Sequence, residues 1–355
     1  MDRSTSVLVF ATQHMPTGGI ESHLQEFCLH LAKTGVKIDL VVTNSRMLPE
    51  TKDFFRQICR RVYLGESRSR FIWLLLVVLK LRFKHYNALY TNGQGKSVFF
   101  ISKLLISHNE WVLHHHTSGD VADQTTWDKD YWKALLKANR VIACSQRNAK
   151  DMSLVLKRSV DVIPCFSRQV KLTATGLSES NKLRFGYYGR LIPEKGIDLL
   201  CKLSEDVDLQ EIEFHIWGEG PNYSLSTFKS FTNISYHGSF NGDEQLASVL
   251  SSLDALLLLS THPEGLPISL LEAMSAGLPW LATDRGGIPD IALDPSSTRV
   301  ISSASTYSEI KNALILFAID LKAGHVSKQE QIDLYTKKFS SSVLVSQWRE
   351  VLGLN

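Results

Sequence analysis

Short apolar runs alternate with amphipathic segments along almost the whole chain, which is the pattern of parallel βαβ units. In the first half these runs predict strands at Val7–Ala11, Lys37–Val42, Arg61–Leu64, Ala88–Thr91, Trp111–His115, Val141–Cys144 and Val160–Ile163. In the second half they predict strands at Leu183–Tyr188, Ile212–Trp217, Ile234–Tyr236, Ala255–Leu259, Trp280–Thr283 and Arg299–Ile301. We therefore expect an α/β protein of two Rossmann-like, doubly wound domains facing a central cleft, because open parallel sheets bind ligands at the carboxyl ends of their strands.

A polar stretch separates the two sets of strands. Residues 171–182 (KLTATGLSESNK) lack apolar periodicity and contain Gly and Ser, which indicates a linker between domains. A chain of 355 residues is long enough for two domains of ordinary size. We predict an N-terminal domain over residues 1–170, a C-terminal domain over residues 171–335, and a last helix within residues 336–355 that packs back toward the N-terminal domain.

Charge is divided between the two halves. Residues 1–170 carry 24 lysines and arginines against 14 acidic residues, whereas residues 171–355 carry 15 against 22. Nine of the basic residues lie between Lys52 and Lys84, where two residues are acidic. Since this region has no helix-turn-helix, zinc-finger or aromatic–basic RNA-binding motif, we do not expect nucleic acid as a partner. We expect peripheral contact with an anionic membrane surface instead.

The most apolar segment, Phe71–Leu79, lies inside this basic region. Its nine residues make a helix of about 14 Å, whereas a bilayer core is about 30 Å thick. The segment is therefore too short to span a membrane. It is either a core helix with solvated ends or an interfacial helix with apolar side chains in the lipid and basic residues at the headgroups.

The cysteines and the start of the chain indicate the compartment. The first apolar run is six residues long, which predicts a buried strand and not a signal peptide. The cysteines show no C-x-x-C pair and no clustering with histidine, which argues against a disulfide framework or a zinc site; they are Cys28, Cys59, Cys144, Cys165 and Cys201. Both features favour a cytoplasmic protein, at most peripheral at the inner face of the cell membrane.

Three consecutive histidines end the fifth predicted strand of the first half. Because side chains alternate between the faces of a strand, His114, His115 and His116 cannot all ligate one metal ion. We expect one of them to face the cleft while its neighbours pack or form hydrogen bonds. No metal site is predicted.

Two loops that follow predicted strands have features of phosphate sites. Gly18 and Gly19 lie between a strand and a helix, where the backbone can approach an anion at the helix N-terminus, although a plain tight turn explains them equally well. In the second half, Arg190 and Lys195 lie on the loop Gly189–Gly196 directly after a strand. Two fixed cations there suit a diphosphate, the alternative being an ordinary solvated loop.

Two acidic residues flank the start of a predicted helix. Glu264 precedes Pro267, which suits a first helical position, and Glu272 lies about one turn inside the helix. An ionised carboxylate can accept two O–H bonds and so suits vicinal hydroxyl groups. Helix capping explains one acid near the first turn but not a second one on an apolar helix. We therefore predict that this segment binds sugar hydroxyls.

Together these motifs resemble glycosyltransferase family 4, a group of retaining enzymes with the GT-B fold. The matching segments, in chain order, are Gly18–Glu21, His116–Ser118, Ala143–Ser145, Val162–Pro164, Gly189–Gly196, Gly218–Pro221, His237–Phe240, Glu264–Glu272 and Gly286–Asp290. The Arg–Lys loop and the E-x7-E segment are the specific ones. The chain departs from the family pattern at Cys165-Phe166, where Asn-Gly is usual, and at Asp290, where Glu is usual.

The resemblance implies a role for each candidate residue. Arg190 and Lys195 would bind the donor diphosphate, with help from the backbone at Gly18 and Gly19, and Glu272 would bind the ribose hydroxyls. The donor sugar would be held by Glu264 and by the backbone of Gly265, Leu266 and Pro267, with His116 near its anomeric carbon. The nucleobase would pack near Gly218 and Phe240.

The resemblance also implies the reaction. We expect a hexosyl group to pass, with retained configuration and without a divalent metal or other cofactor, from a UDP- or GDP-sugar to a saccharide or lipid-linked saccharide of a bacterial cell surface. Attack on the face of the departing diphosphate is favoured over a double displacement through Glu264. One alternative is a sugar-nucleotide epimerase or hydrolase of the same fold, which would need no acceptor. The other is a binding module with a degenerate site, which the presence of Arg190, Lys195 and Glu272 disfavours.

Overall fold

The computed structural model describes residues 5–66, 69–103, 106–172 and 182–354. The chain forms two compact units: unit 1 comprises Met1–Phe166 and Ser341–Asn355, and unit 2 comprises Ser167–Ser340. The division thus falls after residue 166 and after residue 340, where the sequence had suggested 170 and 335. Most of the predicted linker, residues 173–181, lies outside the described residues.

Unit 1 contains a parallel sheet in the order β3-β2-β1-β4-β5-β6-β7. Its strands are β1 (Ser6–Ala11), β2 (Lys37–Val42), β3 (Arg61–Leu64), β4 (His85–Asn92), β5 (Ser107–His115), β6 (Arg140–Ala143) and β7 (Asp161–Val162). The strand order reverses between β1 and β4, so the loops that follow these two strands flank the switch point where such sheets bind ligands.

Helices cover both faces of this sheet. They are α1 (Gly19–Lys33), α2 (Pro49–Ile58), α3 (Arg70–Leu81), α4 (Lys96–Lys103), α5 (Val121–Gln124), α6 (Lys129–Lys137) and α7 (Gln146–Leu156). Along β1, Val7 and Val9 belong to one apolar core, and Leu8 and Phe10 belong to a second core on the opposite face. Every residue of β1 is buried, which explains why its sequence is a continuous apolar run.

Unit 2 contains a second parallel sheet, in the order β10-β9-β8-β11-β12-β13. Its strands are β8 (Leu183–Tyr188), β9 (Ile212–Trp217), β10 (Ile234–Tyr236), β11 (Ala255–Leu258), β12 (Trp280–Thr283) and β13 (Thr298–Ile301). Its helices are α8 (Ile197–Ser204), α9 (Leu225–Phe228), α10 (Gly242–Ser251), α11 (Ile268–Ser275), α12 (Tyr307–Lys322) and α13 (Lys328–Lys338). The strand order reverses between β8 and β11.

The chain then returns to unit 1 through α14 (Ser341–Val351). Trp348 of this helix is fully buried, with its ring 5.1 Å from that of Phe27 and 5.4 Å from that of Tyr90. A large aromatic side chain buried in this way contributes about 3–5 kcal/mol. The core of unit 1 is therefore completed by residues from the end of the chain.

Helix α3 corresponds to the apolar segment inside the basic region. One side of it, which includes Leu74 and Leu81, is buried in the core, whereas Phe71 is 64% and Ile72 60% exposed. The helix thus packs on the sheet, as the core-helix interpretation predicts, and also presents apolar side chains outward; its contact with a membrane stays a prediction. Among the described residues, no helix has the length and apolar character needed to cross a bilayer.

Candidate active site

The switch point of unit 2 brings together two of the predicted residues. Lys195 follows β8 and Glu264 follows β11, and the Lys195 Nζ lies 2.6 Å from the Glu264 Oε1. The hydroxyl of Ser260 donates to the same oxygen at 2.5 Å. The fold therefore joins the Arg–Lys loop and the first acid of the E-x7-E segment, which lie far apart in sequence.

Glu264 is a buried carboxylate that stays ionised. Its burial disfavours the charged form, but the positive charge of Lys195, the nearby His262 and the hydrogen bond from Ser260 outweigh this effect and hold the pKa of Glu264 below its usual value. The hydrogen bonds from Lys195 and Ser260 both go to its Oε1. A fixed negative oxygen of this kind can accept hydrogen bonds from hydroxyl groups.

Arg190 lies on the same loop as Lys195 and is exposed. Its main-chain oxygen accepts a hydrogen bond of 2.8 Å from the hydroxyl of Tyr187, which fixes the backbone at this point. Within the described part of the chain, its guanidinium group makes neither a hydrogen bond nor an ion pair. The site therefore has one cation paired with a carboxylate and a second cation open to an anionic ligand.

The loop after β12 supports the backbone that carries Glu264. The N–H of Gly287 donates to the main-chain oxygens of Glu264, at 3.3 Å, and Gly265, at 3.0 Å. Gly286 has a φ of 51° and packs so closely on the backbone of Glu264 that a Cβ atom would overlap it. The Gly-Gly motif thus has a structural role, that of shaping the loop that ends at the buried Leu266 and Pro267, where α11 begins.

Glu272 is held by two residues that the sequence motifs had not indicated. Arg168 Nε donates to Oε1 of Glu272 at 2.7 Å, and the hydroxyl of Tyr188 donates to Oε2 at 2.7 Å. Burial and the adjacent Glu272 raise the pKa of Tyr188 well above its usual value, so its hydroxyl remains a donor. Each carboxylate oxygen keeps a lone pair for a further hydrogen bond.

Phe240 and Gly218, predicted near the nucleobase, lie in neighbouring loops of unit 2. The ring of Phe240 is half-buried and lies 5.7 Å from the ring of Tyr188, next to Glu272. Gly218 donates its N–H to the oxygen of Gly238 at 2.8 Å and packs directly against the backbone of Gly189. Tyr188 therefore contacts both Phe240 and Glu272, and Gly218 has a packing role that the motif alone did not reveal.

In unit 1 the three histidines alternate as a strand requires. His115 lies on one face, where its ring nitrogens are 2.8 Å from the Tyr131 hydroxyl and 2.8 Å from the Asp123 carboxylate. His114 and His116 lie together on the other side, with ring centroids 3.9 Å apart. Burial lowers the pKa of both His114 and His116, so these two imidazoles are neutral at pH 7.

The prediction that the cysteines do not cluster with histidine is wrong. Cys144 Sγ lies 3.3 Å from Cys165 Sγ, and Cys165 Sγ lies 3.5 Å from His116 Nδ1. These residues follow different strands of one parallel sheet, and the carboxyl ends of such strands share an edge. Spacing along the sequence therefore concealed a cluster that the sheet order creates.

A cavity of about 1030 Å³ opens at the switch point of unit 1. Its lining includes polar side chains, among them Asn92, Gln94 and His116, and apolar side chains, among them Phe71 and Phe99. The cavity thus offers both hydrogen-bonding and apolar surface within unit 1.

The predicted glycine loop leads directly into α1, which begins at Gly19. The carboxylate of Glu21 folds back over Gly18 and accepts a hydrogen bond of 3.0 Å from the N–H of Met15. A negative charge beside this helix N-terminus opposes a phosphate at the same place unless a cation accompanies it. The diphosphate role of Gly18 and Gly19 stays a prediction.

Two sequence families match the chain, one in each unit. Residues 17–166 match the family described as Glycosyltransferase Family 4, and residues 171–338 match the family described as Glycosyl transferases group 1. The two matches follow one another along the chain and contain every predicted site residue.

Curated relatives match in part. The sulfoquinovosyl transferase SQD2 of Arabidopsis thaliana is 35% identical over 130 residues, which cover 36% of this chain and 24% of the relative. The GPI3 subunit of the phosphatidylinositol N-acetylglucosaminyltransferase of Saccharomyces cerevisiae is 25% identical over 287 residues, which cover 76% of this chain and 58% of the relative. The chain thus spans less than two thirds of either relative.

A solved structure has the same fold as this chain. HepE from Anabaena in complex with UDP-glucose superposes with a TM-score of 0.77 over 98% of this chain and 99% of that one, at 17% identity. At this identity the likeness establishes the architecture, two Rossmann-like domains of GT-B type, and not the substrate.

Proposed function

We propose that this chain, which belongs to glycosyltransferase family 4, transfers a hexosyl group from a nucleoside-diphosphate sugar to a saccharide or lipid-linked saccharide with retained configuration. The observation that carries the proposal is the arrangement at the switch point of unit 2. There, Lys195 and Glu264 form a buried pair and the guanidinium of Arg190 stays open. Two cations and one carboxylate at a sheet edge suit a diphosphate and a sugar hydroxyl, respectively.

The cations would act on the leaving group. Negative charge grows on the departing diphosphate as the glycosidic bond breaks, and fixed cations that attract it more strongly in the transition state lower the barrier. Arg190 and Lys195 would perform this task without a divalent metal. In the retaining reaction that we propose, the acceptor hydroxyl attacks on the face of the departing diphosphate, and a diphosphate oxygen takes the hydroxyl proton.

Glu272, Tyr188 and Phe240 would bind the nucleoside. The carboxylate of Glu272 is oriented by Arg168 and Tyr188, so its free lone pairs are fixed in direction before a ribose binds. Phe240 offers a half-buried aromatic ring, 5.7 Å from the ring of Tyr188, for a nucleobase. The proposed donor is a UDP- or GDP-sugar; HepE, which has the same fold, is in complex with UDP-glucose.

The cavity of unit 1 supports a lipid-linked acceptor. It is lined by His116, to which we assign contact with the transferred sugar, and by the apolar side chain of Phe71 of α3. Lys96 also lines it and could neutralise a lipid phosphate, whereas Lys133 is paired with Asp130 at 2.9 Å. The yeast relative is named for a phosphatidylinositol acceptor, which agrees with this class. We infer that the enzyme works in bacterial cell-surface polysaccharide synthesis at the inner face of the cell membrane.

Donor binding tests the proposal directly. UDP-, GDP- and ADP-sugars are added to the protein, and thermal stabilisation and slow hydrolysis are measured. We expect stabilisation by one nucleotide series, lost in Lys195→Ala and Glu272→Ala and kept in the control Lys229→Ala, which alters an exposed lysine of the same unit. If no nucleotide sugar stabilises the protein, the assignment is wrong, and an isomerised sugar formed without an acceptor would instead indicate an epimerase.

A further inference from the structure

Four potential metal ligands meet at the carboxyl edge of the unit 1 sheet. They are His114, His116, Cys144 and Cys165, here called the Cys–His cluster, and their donor atoms all lie within 4.8 Å of one another. His114 lies in β5 and His116 directly follows it, Cys144 directly follows β6, and Cys165 lies in the segment after β7. We propose that the Cys–His cluster is a binding site for a borderline-soft divalent cation and that Zn²⁺ is the ion it prefers.

The distances fit a tetrahedral ion. A Zn²⁺ ion with Zn–S bonds of about 2.3 Å and Zn–N bonds of about 2.0 Å separates its sulfur ligands by about 3.8 Å and sulfur from nitrogen by about 3.5 Å. In the cluster the sulfur–sulfur distance is 3.3 Å. The sulfur–nitrogen distances are 3.4 Å from Cys144 to His114, 3.9 Å from Cys144 to His116 and 3.5 Å from Cys165 to His116. The two remaining pairs of donor atoms, from His114 to His116 and from His114 to Cys165, lie within 4.8 Å, so the ligands must move inward by up to about an ångström to complete the coordination.

The residues behind the cluster can orient its ligands. His23 Nδ1 accepts the N–H of Phe166 at 2.9 Å, so its proton is on Nε2, which lies 3.0 Å from the hydroxyl oxygen of Tyr90. That oxygen also lies 2.8 Å from His114 Nδ1 and has two lone pairs. It can therefore accept from both rings. In that arrangement His114 carries its proton on Nδ1 and presents the Nε2 lone pair to the metal.

Charge balance also favours a divalent ion. Two thiolates and two neutral imidazoles around one Zn²⁺ ion give a site with no net charge, which a buried environment tolerates. Both thiols lose their protons to the solvent buffer when the ion binds. Four protein ligands close the coordination sphere, which is typical of structural sites and leaves no position for a substrate.

The site is compatible with the proposed role of His116 but does not rest on it. The ring uses Nδ1 toward the sulfurs, whereas its Nε2 has no hydrogen-bond partner among the described residues. With Nδ1 bound to the ion, Nε2 carries the proton; this atom is buried and has no partner among the described residues, and the ring that carries it lines the cavity of unit 1. The metal would hold β5, β6 and the segment after β7 in fixed relation.

Metal content and cobalt spectroscopy test this inference without an activity assay, so its failure and that of the transferase proposal are distinguishable. The full chain is purified under reducing conditions without chelator, dialysed against Zn²⁺ and analysed for bound metal. We expect about one equivalent of Zn²⁺. Replacement by Co²⁺ should give thiolate-to-cobalt charge-transfer absorption and the visible bands of a tetrahedral ion.

Variants locate the site. Cys144→Ser and Cys165→Asn, the latter introducing the residue usual in the family pattern, should each lose the charge-transfer absorption or most of it. Cys201→Ser removes a buried thiol of unit 2 and should change nothing. Circular dichroism confirms that each variant is folded.

Three outcomes would overturn the inference. The first is wild-type protein that binds no Zn²⁺ while five thiols remain titratable. The second is a disulfide between Cys144 and Cys165, seen as loss of two thiols and of two hydrogens in mass and located by peptide mapping, because Cys28 and Cys59 are also neighbours. The third is cobalt absorption that persists in a folded variant carrying both substitutions.

Discussion

At the scale of single residues, substitutions in the buried pair of Lys195 and Glu264 can distinguish a structural role from a chemical one. Lys195→Met leaves a buried carboxylate without its cation, and we expect the free energy of unfolding to fall by about 2–3 kcal/mol. We also expect kcat/KM to fall at least about 100-fold, because a cation on the leaving group is lost. Urea denaturation and initial rates measure the two effects.

The double variant Lys195→Met with Glu264→Gln is the matching control. Since it removes both charges, stability should return toward that of the wild type while turnover stays low. Recovery of turnover in the double variant would show that the pair only supports the fold.

Tyr188 provides a narrower test of the proposed nucleoside site. Tyr188→Phe removes the hydroxyl that donates to Glu272 at 2.7 Å, so the carboxylate loses one of its orienting bonds. We expect the Kd of the nucleoside diphosphate to rise about tenfold, which corresponds to about 1.4 kcal/mol, with little change in kcat. Tyr223→Phe, which removes a hydroxyl bonded to Asp198 at 2.7 Å in the same unit, should leave Kd unchanged. An equal rise in both variants would indicate a general loss of stability.

Asp39 should make the stability of unit 1 depend on pH in the acid range. It is fully buried and receives two hydrogen bonds of 2.8 Å from Arg60. Burial opposes ionisation, but the hydrogen bonds from Arg60 and Tyr86 and the charges of Arg60 and Lys84 outweigh it, so the pKa of Asp39 is lowered in the folded protein. Its contribution is therefore present above the unfolded pKa of about 3.9 and is lost as pH falls through the lower, folded value.

Asp39→Asn measures this contribution. At pH 7 we expect the variant to be less stable by about 3 kcal/mol, because Arg60 loses its buried partner. The difference between variant and wild type should shrink as the pH is lowered below about 4. Free energies of unfolding from urea titrations at several pH values would show this, and a difference that stayed constant down to the acid range would contradict the assignment.

At the scale of elements, apolar runs predicted the strands well because both faces of a parallel sheet are covered. The runs missed the first residues of β4 and β5, where polar side chains pair in register, as His85 does with Ser107. Motifs also identified Lys195 and Glu264 as candidate site residues, and the fold brings the two into contact. They did not predict Arg168 or the Cys–His cluster, since these contacts depend on which loops the sheet order places side by side.

The loop after β12 supports the backbone of Glu264, and this supporting role can be tested without changing a side chain of the candidate site. Gly286→Ala places a Cβ atom against the backbone of Glu264 at a φ of 51°, so the loop that carries Glu264 must shift. We expect kcat/KM to fall by about tenfold or more, because small displacements of a positioned group are costly. Gly324→Ala, at a φ of 71° with no atom within 4 Å, has comparable backbone strain without the overlap and should retain activity. Full activity in Gly286→Ala would show that this loop is not needed to position Glu264.

At the scale of the whole molecule, charge and exposed apolar surface occur in the same half of the chain. Residues 1–170 hold the basic excess, and α3 within them exposes Ile72 and Leu76, at 60% and 54%. Burial of such side chains in lipid and attraction to anionic headgroups reinforce each other. Ile72→Gln with Leu76→Gln should therefore weaken binding to vesicles rich in anionic lipid by about tenfold or more, because each substitution removes about 1–2 kcal/mol of apolar burial.

Helix α12 of unit 2 offers the matched control. Leu316 and Ile319 are 62% and 56% exposed, yet they lie in the acidic half of the chain, so Leu316→Gln with Ile319→Gln should leave vesicle binding unchanged. Co-sedimentation at low salt measures both pairs, and binding of the wild type should decline as salt screens the headgroup attraction. Equal losses in the two pairs would mean that exposed apolar residues adsorb to lipid wherever they lie. Vesicle binding is specific to the basic unit 1 only if the α3 substitutions weaken it and the α12 substitutions do not.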